Sequence, residues 1–272
     1  LTYFEALTVT AFSIFQDFMP DVSVVETGLG GRYDATNALE VKIPLITTIS
    51  QDHTNFLGKS IYQIVREKIG IVKNNSFLYL GKNQNFVLDF IKKQLNGKEI
   101  ITANDITETT KFNEPFSFNL ALAIEVARRE FGIKHIDYSK LKLPPCRVEK
   151  IHRFLLDGAH NPSGAINLLE YLSKKKLEIN TAIISSTNDR DIFKFIKIIS
   201  RKVSKIIITE IPNNSRSIKT EDINFGSNVF VIKNPHDAIE KSLQMDKNGI
   251  ILVSGSLYLC GFVRKMLKEK IF

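Results

Sequence analysis

The run Glu26-Thr27-Gly28-Leu29-Gly30-Gly31-Arg32-Tyr33-Asp34-Ala35-Thr36-Asn37 is the most informative stretch of this chain. It follows a short β-type run, Val22 to Val25, and joins an acid, a glycine turn, a base and a second acid. Glycines permit tight turns and leave backbone N–H groups open to an anion. A strand followed by such a turn is typical of the ligand-binding edge of an open α/β sheet.

Strand-like and helix-like segments alternate outward from this stretch along most of the chain. The predicted strands are Val22–Val25, Leu45–Ile49, Phe77–Leu80, Ile100–Ile101, Phe154–Asp157, Ala182–Ser185, Lys205–Thr209, Val229–Ile232 and Ile250–Ser254. Helical patterns lie between them, near 60–72, 85–95, 117–131, 162–173, 191–200, 235–243 and 257–268. This alternation predicts the α/β class, with a doubly wound, Rossmann-like second half.

The length of 272 residues is comfortable for two domains. Pro144-Pro145 lies at the centre of Leu141–Cys146, which therefore fits neither a helix nor a central strand. We interpret that stretch as the linker. The expected domains are residues 1–143 and 144–272.

The composition narrows the class of function. No apolar run approaches the roughly 20 residues of a membrane span, and Leu1–Phe18 lacks the basic start and cleavage site of a signal peptide. That segment instead predicts a helix that begins with a capping box of Thr2 and Glu5.

The cysteine content and the charge also narrow the class of function. Two cysteines, Cys146 and Cys260, are too few for a disulfide framework or a metal cluster, which favours a protein of the reducing cytoplasm. The net charge of +8, without aromatic interleaving or a nucleic-acid motif, suits polyanionic small substrates better than nucleic acid.

Polar residues follow two successive predicted strands. Glu26 comes just after the first predicted strand. Its carboxylate is either a hard ligand for Mg²⁺ or a solvated acid without a ligand. Gln51-Asp52-His53 follows the next strand, where His53 is a metal ligand, a general base or a structural loop residue. Because parallel strands bring their carboxyl ends to one edge, the two clusters together favour a binding site.

Lys68 lies on a predicted helix beside the apolar positions Ile61, Ile64 and Ile69. A lysine held against apolar surface has a lowered pKa and becomes chemically available. The alternative is a surface lysine whose stem covers apolar side chains while its amine reaches water, and periodicity alone favours that alternative.

The second half carries a strand, a turn and a helix start in Leu155-Leu156-Asp157-Gly158-Ala159-His160-Asn161-Pro162. Asp157 and His160 can contact a ribose or a base, and a helix N-terminus favours anions. An Asp- and Asn-stabilised turn without a ligand explains the same residues nearly as well.

Several of these motifs, in this order, resemble the folylpolyglutamate synthase/dihydrofolate synthase family of the Mur ligase superfamily. The matching segments are Tyr3–Thr8, Glu26–Asn37, Asp52-His53 with Leu57-Gly58, Glu67–Lys73, Asp157–Pro162 and Val253–Tyr258. The resemblance covers essentially the whole chain. It implies a P-loop-type ATPase domain followed by a C-terminal Rossmann-like Mur ligase domain.

The resemblance also implies a reaction and its residues. ATP would phosphorylate a pteroate or folate carboxylate, and the amine of L-glutamate would attack the acyl phosphate. Glu26 and His53 would hold Mg²⁺, and Lys68 would be carbamylated. The remaining implied contacts are Arg32, Tyr33 and Asp34 to the pterin substrate, Asn119, Arg147 and Asp157 to ATP, and His160 close to the reaction. The family expectation is a monomer that acts on small molecules, with no nucleic-acid or membrane partner.

The chain departs from the family in one motif above all. It contains no G-x-x-x-x-G-K-[ST] phosphate loop, so we expect an N-terminally truncated, incomplete ATPase domain with little or no ligase activity. The alternatives are a non-catalytic remnant that binds nucleotide or folate, and a Mur peptidoglycan ligase. The motif of Glu26–Asn37 disfavours the second, since it belongs to the folate branch.

Overall fold

The computed structural model describes residues 1–102, 116–222 and 228–269. The chain separates into two compact units, Leu1–Ile136 and Asp137–Phe272. Within each unit, parallel strands alternate with helices, which confirms the predicted α/β class.

The first unit is built on a small parallel sheet with strand order β1-β2-β3. Its strands are β1 (Leu45–Ile46), β2 (Phe77–Leu80) and β3 (Glu99–Thr102), and its helices are α1 (Tyr3–Phe18), α2 (Thr54–Leu57), α3 (Ile61–Ile69), α4 (Asn85–Gln94) and α5 (Phe116–Phe131). The residue pairs Leu45 with Tyr79 and Tyr79 with Ile101 set the register. Because apolar side chains of α3 and α4 pack on β2, the core of this unit fixes the position of α3.

Two expectations for the start of the chain have different outcomes. The capping box of α1 is confirmed, since the Thr2 hydroxyl accepts from the Glu5 N–H and the Glu5 carboxylate accepts from the Thr2 N–H. The predicted strand Val22–Val25 is wrong. That segment pairs with no other described strand, and Val24 is 93% exposed. A β-ladder needs a neighbour, so β propensity alone does not make a strand there.

The second unit carries a larger sheet with strand order β4-β5-β9-β6-β7-β8. Its strands are β4 (Glu149–Ile151), β5 (Phe154–Leu156), β6 (Thr181–Ile184), β7 (Lys205–Ile208), β8 (Val229–Val231) and β9 (Ile251–Ser254). Its helices are α6 (Pro162–Lys174), α7 (Ile192–Ile199), α8 (Pro235–Met245) and α9 (Leu257–Lys268). Only β4 runs antiparallel to its neighbour among the described strands. The expected doubly wound, Rossmann-like arrangement is present, with one apolar cluster on each face of the sheet.

None of the helices in the described ranges combines the length and the apolar character that crossing a membrane requires.

Candidate active site

A cavity of about 250 Å³ opens at the carboxyl end of β1 in the first unit. Three segments that are separate in sequence line it: the glycine loop, the residues after β1, and α3. The lining residues are Thr27, Gly28, Leu29, Gly30, Thr48, Ser50, Asp52, His53, Leu57, Ile64 and Lys68. The structure therefore brings together the glycine loop, the Asp52-His53 pair and Lys68, all of which the sequence singles out, but not Glu26.

The glycine loop takes its shape from hydrogen bonds within the loop. The Asp34 carboxylate accepts from the Leu29 N–H at 2.8 Å and from the Thr36 N–H at 3.0 Å. The Thr36 hydroxyl donates to the same carboxylate at 2.6 Å. Gly30 has a φ of +72°, the left-handed region that glycine adopts without strain. Backbone groups of Gly28 to Gly30 thus border the cavity, where an anionic group can approach them.

Lys68 reaches the cavity from the last turn of α3 with a half-buried side chain. Burial lowers the pKa of its amine, and the nearby Asp52 carboxylate opposes that shift. Since desolvation disfavours the ammonium form, more of the amine is neutral than in an exposed lysine. The sequence left Lys68 open between a surface and a buried role, and the structure places it in the cavity.

His53 is held in an uncommon backbone conformation at the start of α2. Its φ of +50° is rare for a residue with a side chain. The Asp52 carboxylate accepts from the His53 N–H at 2.8 Å, and its other oxygen lies 3.9 Å from His53 Nε2. Strained conformations of this kind concentrate at functional sites, where surrounding structure enforces them.

The fit of these residues to a metal ion can be judged from their donor atoms. Among the described residues no group of three or more His, Cys, Asp and Glu side chains is placed to hold one. Glu26 is exposed and does not line the cavity, although the adjacent Thr27 does. Asp52 and His53 fit Mg²⁺ as a partial ligand set, because Mg²⁺ commonly keeps several waters and takes phosphate oxygens.

The other residues implied for this unit lie outside the cavity lining. Arg32 and Tyr33 are exposed, Tyr33 by 84%. Asp34 is the loop-shaping carboxylate described above. Asn119 lies on α5 and is exposed.

In the second unit, the Asp157 carboxylate lies just after β5 and is only 6% exposed. It accepts from the Ala159 N–H at 2.9 Å and from the Val148 N–H at 3.0 Å. Burial raises the pKa of Asp157, while these two hydrogen bonds and the positive charge of Arg147 act in the opposite direction. The carboxylate thus joins two backbone segments of the turn.

The same turn leads into α6. His160 Nδ1 lies 2.8 Å from the Gly158 carbonyl oxygen, and the Asn161 side chain caps α6 by accepting from the Gly164 N–H at 2.7 Å. Pro162 occupies the first turn, as expected. Asp157 and Asn161 therefore both make the turn-stabilising bonds that the ligand-free interpretation requires.

Thr48 and Ser50 line the cavity although the sequence did not single them out. A signal was present, because polar residues follow the apolar pair of β1 at the carboxyl edge of the sheet. β-Branched content made Thr48 part of the longer predicted strand Leu45–Ile49, whereas β1 ends at Ile46.

Comparison with known proteins identifies the family of this chain. A family model described as the C-terminal domain of dihydrofolate synthetase matches residues 139–267. A probable dihydrofolate synthetase from Schizosaccharomyces pombe is 30% identical, over 98% of this chain and 76% of that protein.

Solved structures agree in fold. A folylpolyglutamate synthase from Mycobacterium tuberculosis, complexed with ADP, superimposes with a TM-score of 0.84 at 23% identity, covering 98% of this chain and 72% of that one. A bifunctional folylpolyglutamate synthase/dihydrofolate synthase from Yersinia pestis, complexed with AMPPNP and a Mn ion, gives 0.78 at 24% identity, with coverage of 98% and 72%. On the evidence of the Schizosaccharomyces relative, this chain belongs to the folylpolyglutamate synthase/dihydrofolate synthase family of ATP-dependent ligases.

Proposed function

We propose that the reaction of this protein joins L-glutamate to dihydropteroate, to a (tetrahydro)folate, or to both, and consumes ATP. Because the sequence contains no G-x-x-x-x-G-K-[ST] phosphate loop, we expect little turnover by this chain alone. The observation that carries the proposal is the cavity of the first unit, in which a partly desolvated Lys68 faces the glycine loop and the Asp52-His53 pair. A reaction through an acyl phosphate needs backbone N–H groups that bind an anion, a metal site, and a side chain that stabilises the charge that develops beside the phosphate. The cavity offers residues suited to each.

His53 would hold Mg²⁺ with Glu26, and the bound ion would neutralise phosphate charge. Lys68 would be carbamylated, which turns a cation into a carboxylate able to support metal or phosphate. A neutral amine is required for that modification, and burial of Lys68 favours the neutral amine. Lys68 is therefore suited to the role by its surroundings.

The substrate contacts are also part of the proposal. Arg32 and Tyr33 would lie along the pterin, with Asp34 shaping the loop that presents them. In the second unit Arg147 would contact phosphate and Asp157 ribose, with His160 close to the reaction. Asn119 would contact adenine. A cytoplasmic location and a monomeric state stay predictions.

The test is glutamate-dependent release of phosphate from ATP with dihydropteroate or tetrahydrofolate as acceptor, and mass spectrometry of the product. We expect Lys68→Gln to lower the turnover of the wild-type chain further, on the order of a hundredfold, the usual scale for removing a preorganised charge-stabilising group. Lys92→Gln, an exposed lysine on α4, is the control and should keep full turnover.

Three outcomes would contradict the proposal. Dihydropteroate or nucleotide binding without turnover would favour the non-catalytic alternative. Turnover with a peptidoglycan precursor instead of a pteroate would favour a Mur peptidoglycan ligase. Full turnover in Lys68→Gln would remove Lys68 from the site.

A further inference from the structure

The glycine loop and the C-terminal turn of α3 touch through their backbones. A Cβ on Gly31 would lie 2.7 Å from the Glu67 carbonyl oxygen and 2.9 Å from that of Lys68. A Cβ on Gly70 would lie 2.7 Å from Arg32 Cα. No side chain separates the two segments at either point, so a shift of one is passed to the other.

Asn37 ties these two segments together. Its Nδ2 donates to the Arg32 carbonyl at 2.9 Å and to the Gly70 carbonyl at 3.3 Å. The Arg32 N–H donates to the Glu67 carbonyl at 2.8 Å. The bonded carbonyls of Glu67 and Gly70 lie on either side of Lys68 in the sequence, so the loop holds the backbone of Lys68 from both directions.

The orientation of the Asn37 amide follows from these partners. Two carbonyl oxygens face the side chain and require its donor end. The other end, Oδ1, is buried without a hydrogen-bond partner. A buried acceptor without a hydrogen bond lowers the stability of the fold. The Asn37 amide carries this cost at Oδ1 while its Nδ2 holds the loop and the helix together.

We infer that Asn37 is a positioning residue that sets the place of Lys68 in the cavity by fastening the glycine loop to the end of α3. The inference rests on the proposed role of Lys68. Asn37 is absent from the cavity lining, and its side chain acts through the Arg32 and Gly70 carbonyls. Helix ends fray when they are not held, and Lys68 lies one residue before the end of α3. Its amine therefore depends on this tie for a fixed position.

Asn37→Asp tests the inference, because it keeps the shape of the side chain and replaces the donor with an oxygen that the two carbonyls repel. Asn75→Asp is the matched control, since Asn75 Nδ2 donates to the Val41 carbonyl at 2.8 Å across a similar span of sequence but lies outside the cavity lining. Asn37→Ala, which adds no charge, is the second variant in case Asn37→Asp folds poorly.

Two measurements are made on the full chain. The first is the rate at which cyanate modifies Lys68 at one fixed pH, read by peptide mass spectrometry, and it does not require ligase activity. The second is kcat and KM in the ligase assay. We expect both Asn37 variants to change the Lys68 modification rate at least roughly threefold and to lower kcat roughly tenfold, with little change in KM for pteroate, because misplacing a reacting group acts on the chemical step. Asn75→Asp should match the wild type in both.

The outcomes separate this inference from the proposed function. An unchanged Lys68 modification rate in the Asn37 variants, or an equal change in Asn75→Asp, would overturn the positioning role whatever the ligase assay gives. A changed rate with no ligase activity in any protein would keep the positioning role and count against the proposed function.

Discussion

The Lys68 cavity and the Asp157 turn each contain an ionisable side chain that is partly or fully buried, but the surroundings of the two charges differ. In the cavity, the amine of Lys68 is partly desolvated, and its pKa is lowered. In the turn, both oxygens of Asp157 accept backbone N–H groups, and the side chain is nearly fully buried. Burial pushes each group toward its neutral form. Two backbone hydrogen bonds oppose this effect at Asp157, whereas at Lys68 it is opposed by the nearby Asp52 carboxylate.

The contrast separates groups available to a ligand from groups that maintain the fold. Removing a charge that is poised for a ligand should cost activity and little stability. Removing a carboxylate that joins two backbone segments should cost stability first. Three substitutions at positions that maintain the fold follow, in order of their expected effect on stability, and the first two have a matched control.

Gly31→Ala should have the largest effect on stability. The new methyl group would lie under 3 Å from two backbone carbonyls of α3, which cannot move aside as a flexible side chain can. We expect the free energy of unfolding to fall by about 3 kcal/mol, the upper end for overpacking a close contact. Urea unfolding followed by circular dichroism measures it.

Gly261→Ala is the control for that substitution. A Cβ at Gly261 meets nothing within 4 Å, and the residue lies inside α9. Alanine there should raise stability by about 0.5–1 kcal/mol through helix propensity. Equal losses in both variants would show that the contact of loop and helix is not as close as described.

Asp157→Asn should follow, with a loss of about 2 kcal/mol. One oxygen remains to accept a backbone N–H, but the new amide group points a donor at the N–H of Val148 or Ala159, which then lacks a partner. Thermal unfolding gives the stability, and nucleotide titration of the folded variant gives the binding. Weakened binding at unchanged stability would contradict the structural role of this carboxylate and favour direct ribose contact.

Asp191→Asn is the matched control for Asp157→Asn. Asp191 caps α7 by accepting from the Lys194 N–H and is exposed. Asparagine caps helices about as well as aspartate, so stability should change little.

Glu149→Gln should have the smallest effect, about 2 °C in Tm near neutral pH. Burial alone would raise the pKa of Glu149, but hydrogen bonds from Arg264 and from the Cys146 N–H outweigh it and lower the pKa. A carboxyl group whose folded pKa is lowered stabilises the fold above its unfolded pKa of about 4.3, and this stability is lost as the pH falls through the folded pKa.

The acid side of the stability profile therefore provides the measurement. Wild type and Glu149→Gln should differ most above about pH 4.3 and converge below it as Glu149 becomes protonated. A constant difference down to pH 2 would show that the side chain acts through packing and not through its charge.

Local sequence predicts many of the helices and strands of this protein. The strand Phe77–Leu80 and the helix Leu257–Lys268 have the bounds that their apolar patterns predict, and the capping box of Thr2 and Glu5 is formed. These features depend on neighbours within a few residues, so propensity and periodicity suffice. Val22–Val25 fails for the opposite reason, because a strand exists only when another strand pairs with it.

The same distinction between local and tertiary information applies to the candidate site. The residue types of the glycine loop, of Asp52-His53 and of Asp157–Pro162 were enough to indicate a family and to nominate Lys68 and His53. Whether Lys68 faced solvent or a cavity, and that Asn37 bonds the Gly70 carbonyl, were decided only by the tertiary structure. Desolvation and hydrogen bonding arise between segments about 30 residues apart, and no local pattern contains that distance.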